Sequence, residues 1–120
     1  MSEPRWIPVP NYCDQRGSLA VLEWKALPFL PQRLYFLYDC PTDSIRGGHR
    51  HGLAEELIVA VGGSIKVTTR QGTDVREFVL EKRSEALYVP REVWHQLQDF
   101  SRGAVCLVLS SEPYDPTDAV

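Results

Sequence analysis

The chain has 120 residues, 43% of them hydrophobic, and a formal charge of -3 with a pI of about 5.6. That length suits one domain, residues 1–120, with room for one real core and not for two. The weak negative charge provides no field for nucleic acid or an anionic membrane surface, and no apolar run approaches the roughly 20 residues of a membrane span.

The start, Met1 to Arg5, lacks the apolar region of a secretion signal. Cys13, Cys40 and Cys106 are odd in number and show no CxxC spacing, so buried, reduced thiols in a cytoplasmic protein are expected. Residues 6–9 predict a short strand, and Pro8 places it at a sheet edge. Asp14-Gln15-Arg16-Gly17 is a turn with Gly17 at its positive-φ position. Residues 18–24 predict a strand, Pro28 to Pro31 a rigid connector, and the aromatic run 32–38 another strand. After a loop through Pro41 comes Arg46-Gly47-Gly48-His49-Arg50-His51-Gly52-Leu53-Ala54-Glu55-Glu56, then the apolar run 57–61 and a tight turn at Gly62-Gly63. Strands follow at 64–69, 75–80, 86–89, 94–98 and 104–110, with a hairpin turn at Gln71-Gly72-Thr73-Asp74 and a polar tail from Pro113. Many short strands, frequent turn signals and no helical periodicity predict an all-β sandwich or small barrel.

The histidines carry the chemistry. In a strand, residues i and i+2 share a face about 7 Å apart. An extended segment therefore points His49 and His51 into one space, with Glu55, Leu57, Val59 and Val61 on the same face if no bulge intervenes. His95 lies beside Trp94 in a second segment. Imidazole accepts and donates protons near neutral pH, and it also ligates transition metals. His49, His51, Glu55 and His95 thus form an alternative set for a divalent transition metal. Glu55 could equally be a histidine's partner or a structural acid. Tyr35 fits either a site or a packed aromatic strand. No glycine-rich dinucleotide fingerprint is present.

His49-x-His51-x3-Glu55-x6-Gly62 resembles the first cupin motif. Pro90-x-Glu92-x2-His95 resembles the second, with Glu92 where glycine is usual. The resemblance implies a cupin-type double-stranded jelly-roll barrel, a fold that hosts many chemistries. More narrowly, Arg16-Gly17-x-Leu19, Pro28-Phe29, Arg33-x-Tyr35, Arg46-Gly47-x-His49-x-His51, Val93-Trp94-His95 and Ser110-x3-Tyr114-Asp115 resemble, in this order, the nucleotide-sugar 3,4-ketoisomerases of the FdtA/QdtA-like (WxcM-like) family. Arg50 replaces the family's usual alanine, Gly52 its lysine, and Glu56 stands where glutamine is common.

The resemblance implies an isomerase of deoxysugar biosynthesis acting on dTDP-4-keto-6-deoxyglucose, a homodimer often with exchanged N-terminal strands, no cofactor and no metal. Moving a ketone from C4 to C3 requires proton transfers through an enediol or enediolate and no hydride acceptor. On this reading His51 moves the carbon-bound proton, His49 assists the oxygen-bound one, and Tyr35 bonds a sugar oxygen or relays a proton. Arg33 and Arg46 suit the diphosphate, since guanidinium forks onto phosphate. Arg16, Trp94 and His95 complete the expected substrate-binding set. Two other functions remain open to the sequence: a metal-dependent cupin oxygenase or isomerase, and a non-catalytic nucleotide-sugar-binding module.

Overall fold

The computed structural model describes residues 2–118. Eleven strands run β1 Arg5–Pro8, β2 Asn11–Asp14, β3 Gly17–Ala20, β4 Arg33–Leu37, β5 Arg46–His49, β6 Glu56–Gly62, β7 Ile65–Gln71, β8 Asp74–Leu80, β9 Glu85–Val89, β10 Trp94–Gln98 and β11 Val105–Ser110. One 3₁₀ turn, Trp24–Ala26, interrupts them. Two antiparallel sheets face each other, in the orders β1-β9-β6-β11-β4 and β5-β10-β7-β8, while β2 and β3 form a separate ribbon. This is the expected jelly-roll barrel. β1 lies at a sheet edge, where Pro8 removes no ladder bond that a neighbour needs.

The five-stranded sheet is covered on both faces, and β6 shows how. Ile58 and Ala60 join Val67, Leu87, Val93, Leu97 and Val108 between the sheets. Leu57 and Val59 point the other way, toward Val9, Tyr88, Leu109 and the connector residues Leu22, Leu27 and Phe29. A strand buried on both faces reads as a continuous apolar run, and residues 57–60 are all buried. The Gly62-Gly63 turn is tight. Gly63 has φ +67, and a Cβ there would lie 2.9 Å from the Cα of Ala104.

Two expectations require correction, and two features were not foreseen. β2 was not foreseen, and the strand expected over 18–24 ends at Ala20. Every residue of the β2–β3 ribbon is exposed, so it carries no burial alternation to read. The Gly17 turn stands, with φ +125. Cys13 is exposed, whereas Cys106 is buried. The fold-back of the polar tail was not foreseen: from Pro113 as far as Asp118 it lies across the barrel mouth. Residues 119 and 120 lie outside the described part.

Candidate active site

The site forms where β5 meets β10. The two strands pair with His49 opposite His95. The approach demands glycine: Gly47 and Gly48 have φ +83 and +80, and a Cβ on Gly47 would sit 3.2 Å from the His95 carbonyl oxygen. His51 follows as a single bridge residue, its carbonyl oxygen accepting the Glu92 N–H at 2.7 Å. Glu92 holds φ +66, which explains why glycine is usual at its place in the motif. The chain then bends at Gly52 and Leu53 before β6 begins.

That bend shifts the alternation by one residue and overturns the expected role of Glu55. Glu56, not Glu55, shares the cavity with the histidines. Glu55 instead accepts hydrogen bonds from the Tyr88 hydroxyl and from Arg91, the latter at 3.2 Å. Leu57 and Val59 accordingly leave the histidine face, and Ile58 joins it.

The three imidazoles cluster. Ring centroids are 4.7 Å apart for His49 and His51, 6.0 Å for His51 and His95, and 6.3 Å for His49 and His95. The Nε2 atoms of His49 and His51 lie 3.2 Å apart, so one donates and the other accepts. His95 is buried, with Nε2 2.8 Å from Glu56 Oε1 and Nδ1 3.2 Å from the Val93 carbonyl oxygen. Both ring nitrogens thus face acceptors, which suits the imidazolium. Tyr35 donates its hydroxyl to Glu56 Oε2 at 2.8 Å.

The electrostatics follow this geometry. Burial alone would raise the Glu56 carboxyl, but the hydrogen bond and charge of His95, with Tyr35 and His51, hold it below the usual carboxylate range. Burial alone would lower His95, but its bond to Glu56 raises it above 6.5. Burial raises the Tyr35 hydroxyl, and Glu56 raises it further, so the phenol stays protonated and donates. Burial lowers His51, with the neighbouring histidines adding to the effect against Glu56 and Asp118. His51 is therefore neutral near pH 7 and able to take a proton.

These groups open onto a cavity of about 400 Å³. Arg33, Tyr35, Arg46, His49, His51 and His95 line it. Arg33 stacks its guanidinium on Tyr35 and Tyr114, 4.9 and 5.5 Å from the ring centroids, and its buried Nε has no hydrogen-bond partner in the described residues. Two expected binding residues lie elsewhere. Arg16 sits at the tip of the β2–β3 ribbon, bonded to Asp14 with its side chain 87% exposed, outside the cavity of its own chain. Trp94, next to His95 in β10, points by alternation to the outer face, where Arg70 covers its ring at 4.7 Å. Glu56 and Asp118 were missed as site residues. A parity count that allowed a bend at Gly52 would have found Glu56; nothing in the sequence marks Asp118.

The alternative metal set of His49, His51, Glu55 and His95 does not form, because Glu55 bonds Tyr88 and Arg91 outside the cavity. Among the described residues, His51, Glu56 and His95 bring one donor atom each within 4.8 Å of one another. Two of those three are already bonded to each other, and Tyr35 holds the second oxygen of Glu56. An ion there would have to displace that hydrogen-bonded chain.

The profile of the family described as "FdtA: WxcM-like, C-terminal" matches residues 2–120. The chain belongs to that family. A curated member from Aneurinibacillus thermoaerophilus, named TDP-4-oxo-6-deoxy-alpha-D-glucose-3,4-oxoisomerase, is 39% identical over 108 residues, covering 89% of this chain and 78% of the relative. Among solved structures, the QdtA 3,4-ketoisomerase from Thermoanaerobacterium thermosaccharolyticum, a double mutant in complex with TDP, superimposes with a TM-score of 0.95 at 32% identity, over 100% of this chain and 88% of the other. The WlaRB TDP-quinovose 3,4-ketoisomerase from Campylobacter jejuni gives 0.94 at 29%, over 100% and 93%. A dTDP-4-dehydrorhamnose 3,5-epimerase from Bacillus anthracis, at 16% identity and 0.84, over 98% and 77%, shares the fold.

Proposed function

We propose that this FdtA-family chain is a sugar-nucleotide 3,4-ketoisomerase that converts dTDP-4-keto-6-deoxyglucose to the 3-keto isomer in deoxysugar biosynthesis. The observation that carries the reading is the His49–His51 pair, its Nε2 atoms 3.2 Å apart inside a cavity edged by Arg33 and Arg46. The named activities of the relatives agree with it.

His51 Nε2 takes the proton from C3 as that C–H bond breaks, and the electron pair forms the C3–C4 double bond with negative charge on the C4 oxygen. His49 carries a proton from the C3 hydroxyl to the C4 oxygen, which passes through the enediol. The His51 imidazolium exchanges its proton with solvent, and collapse toward a C3 ketone delivers a proton from His51 to C4. Atoms and electrons balance without any redox partner. Tyr35 and the His95–Glu56 pair fix the polar wall beside the imidazoles. Arg33 and Arg46 hold the diphosphate, which would supply the partner that Arg33 Nε lacks. Incubation with dTDP-4-keto-6-deoxyglucose, followed by NMR of the sugar ring, tests the activity: a 3-keto sugar is expected, and unchanged substrate bound without turnover would instead support a binding module.

The reaction as written uses protons alone, and Glu56 and His95 are already engaged with each other. Activity is therefore expected to survive EDTA and extensive dialysis. Loss on chelation with recovery on adding one metal would replace this reading with the metal-dependent one.

The protein is also proposed to be a cytoplasmic homodimer. The edge strand β4 exposes Leu34 and Phe36, with Tyr38 exposed just beyond it, and the β2–β3 ribbon exposes Tyr12 and Leu19. An unpacked two-stranded ribbon is marginal by itself, and an apolar sheet edge invites pairing. Light scattering at micromolar concentration should give twice the chain mass; a fully active monomer would refute the assembly.

A further inference from the structure

We infer that Asp118 is the positioning residue of His51: its carboxylate accepts a hydrogen bond from Nδ1–H and leaves Nε2 with the lone pair that meets the substrate. The inference rests on the reading of His51 as the carbon base.

Asp118 closes the segment that folds over the barrel mouth, and its side chain is only 8% exposed. It grips the bend after His51 at three points. Its carbonyl oxygen accepts the Gly52 N–H at 3.1 Å, Oδ1 accepts the Leu53 N–H at 2.8 Å, and Oδ2 accepts the Ala54 N–H at 3.0 Å. Those bonds fix the carboxylate against residues more than 60 positions earlier in the chain, immediately beside the imidazole.

Oδ2 has a further lone pair, and it lies 3.5 Å from His51 Nδ1. That nitrogen is buried and has no hydrogen-bond partner among the described residues. A buried polar atom left unpaired is costly, and a contraction of about half an ångström closes this bond, a tightening common when a free site takes its ligand. The other side of the ring agrees. His51 Nε2 faces His49 Nε2, and with Nδ1 protonated His51 is the acceptor of that pair. The hydrogen bond on one ring nitrogen sets the state of the other. Asp118 then does two things: it holds the base in the reactive tautomer, and its charge steadies the imidazolium that forms when the C3 proton arrives.

A purely structural role, as a cap on residues 52–54, would leave the ring protonation untouched, so nitrogen-15 NMR of the histidine rings separates the two. At about pH 8, where an ordinary histidine is neutral, wild-type His51 should carry its proton on Nδ1. Asp118→Asn, which places an amide where the carboxylate stood, should shift that proton toward Nε2. It should lower kcat at least about 10-fold with KM changed less than about threefold. A wild-type His51 protonated on Nε2, or an unchanged ring in Asp118→Asn, overturns the inference. If Asp118→Asn does not fold, the wild-type spectrum decides alone. If the wild type does not turn over the keto sugar, a proton that moves with Asp118→Asn still upholds Asp118 while the ketoisomerase reading falls.

Discussion

His51→Asn should lower kcat by about 10²- to 10⁴-fold, the usual contribution of a general acid–base group. Asparagine retains a polar side chain at the His49 face but cannot take a proton from carbon. The loss should fall on kcat, with KM nearly constant, if the diphosphate is held by Arg33 and Arg46 as proposed. Exchange of solvent deuterium into the sugar should fall in step with turnover, since both report the same proton transfer. His49→Asn should slow the reaction less, as it leaves the carbon base in place. Steady-state kinetics on the purified variants check this, with circular dichroism to confirm the fold. Near-full turnover in His51→Asn would pass the role of base to His49 or Tyr35.

His95→Ala should be the most destabilising change in the site. It removes the partner of Glu56, whose side chain is 4% exposed, and leaves a carboxylate in the barrel with only the Tyr35 hydroxyl. Breaking a buried pair in this way costs about 3–5 kcal/mol. Glu56→Gln should cost far less, because an amide still bonds both neighbours. The pH dependence has a defined sign. Glu56 is held below its ordinary 4.5, so its contribution is present above that pH and lost as pH falls through the lower folded value. His95 is raised above 6.5, so its contribution is present below that pH and lost as pH rises through the higher folded value. The gap between wild type and His95→Ala, read from chemical unfolding, should be widest between about pH 4.5 and 6.5. A gap that does not vary with pH would mean that the pair is neutral.

Much of this site could be seen in the chain before any coordinates, for reasons that particular residues make plain. β7 and β10 alternate between buried and partly exposed positions, and β4 and most of β8 between partly buried and exposed ones, so their period of two is written in the residue types. His49 and His51 were placed together by the same rule, and both motifs implied the barrel fold. The rule failed where the backbone stops being a strand. Between His51 and Glu56 the chain bends, and parity counted through Gly52 and Leu53 assigned Glu55 to the wrong side. It also offered no guidance for β2 and β3, which bury nothing. Arg16 was placed by its motif, yet its side chain belongs to a ribbon that projects from the barrel. Asp118 was the least legible of all: its role depends on a fold-back across more than 60 residues, which no local pattern encodes.

The central claim, that imidazoles move a ketone from C4 to C3 by proton transfer, is tested most directly by running the wild-type reaction on dTDP-4-keto-6-deoxyglucose in D₂O and locating the label by NMR. The account predicts a 3-keto sugar carrying deuterium at C4, and recovered substrate that gains deuterium at C3 as the reaction reverses. A 3-keto product that stays free of deuterium through repeated turnovers would require hydrogen to pass between the carbons without meeting an exchangeable group, and would contradict it.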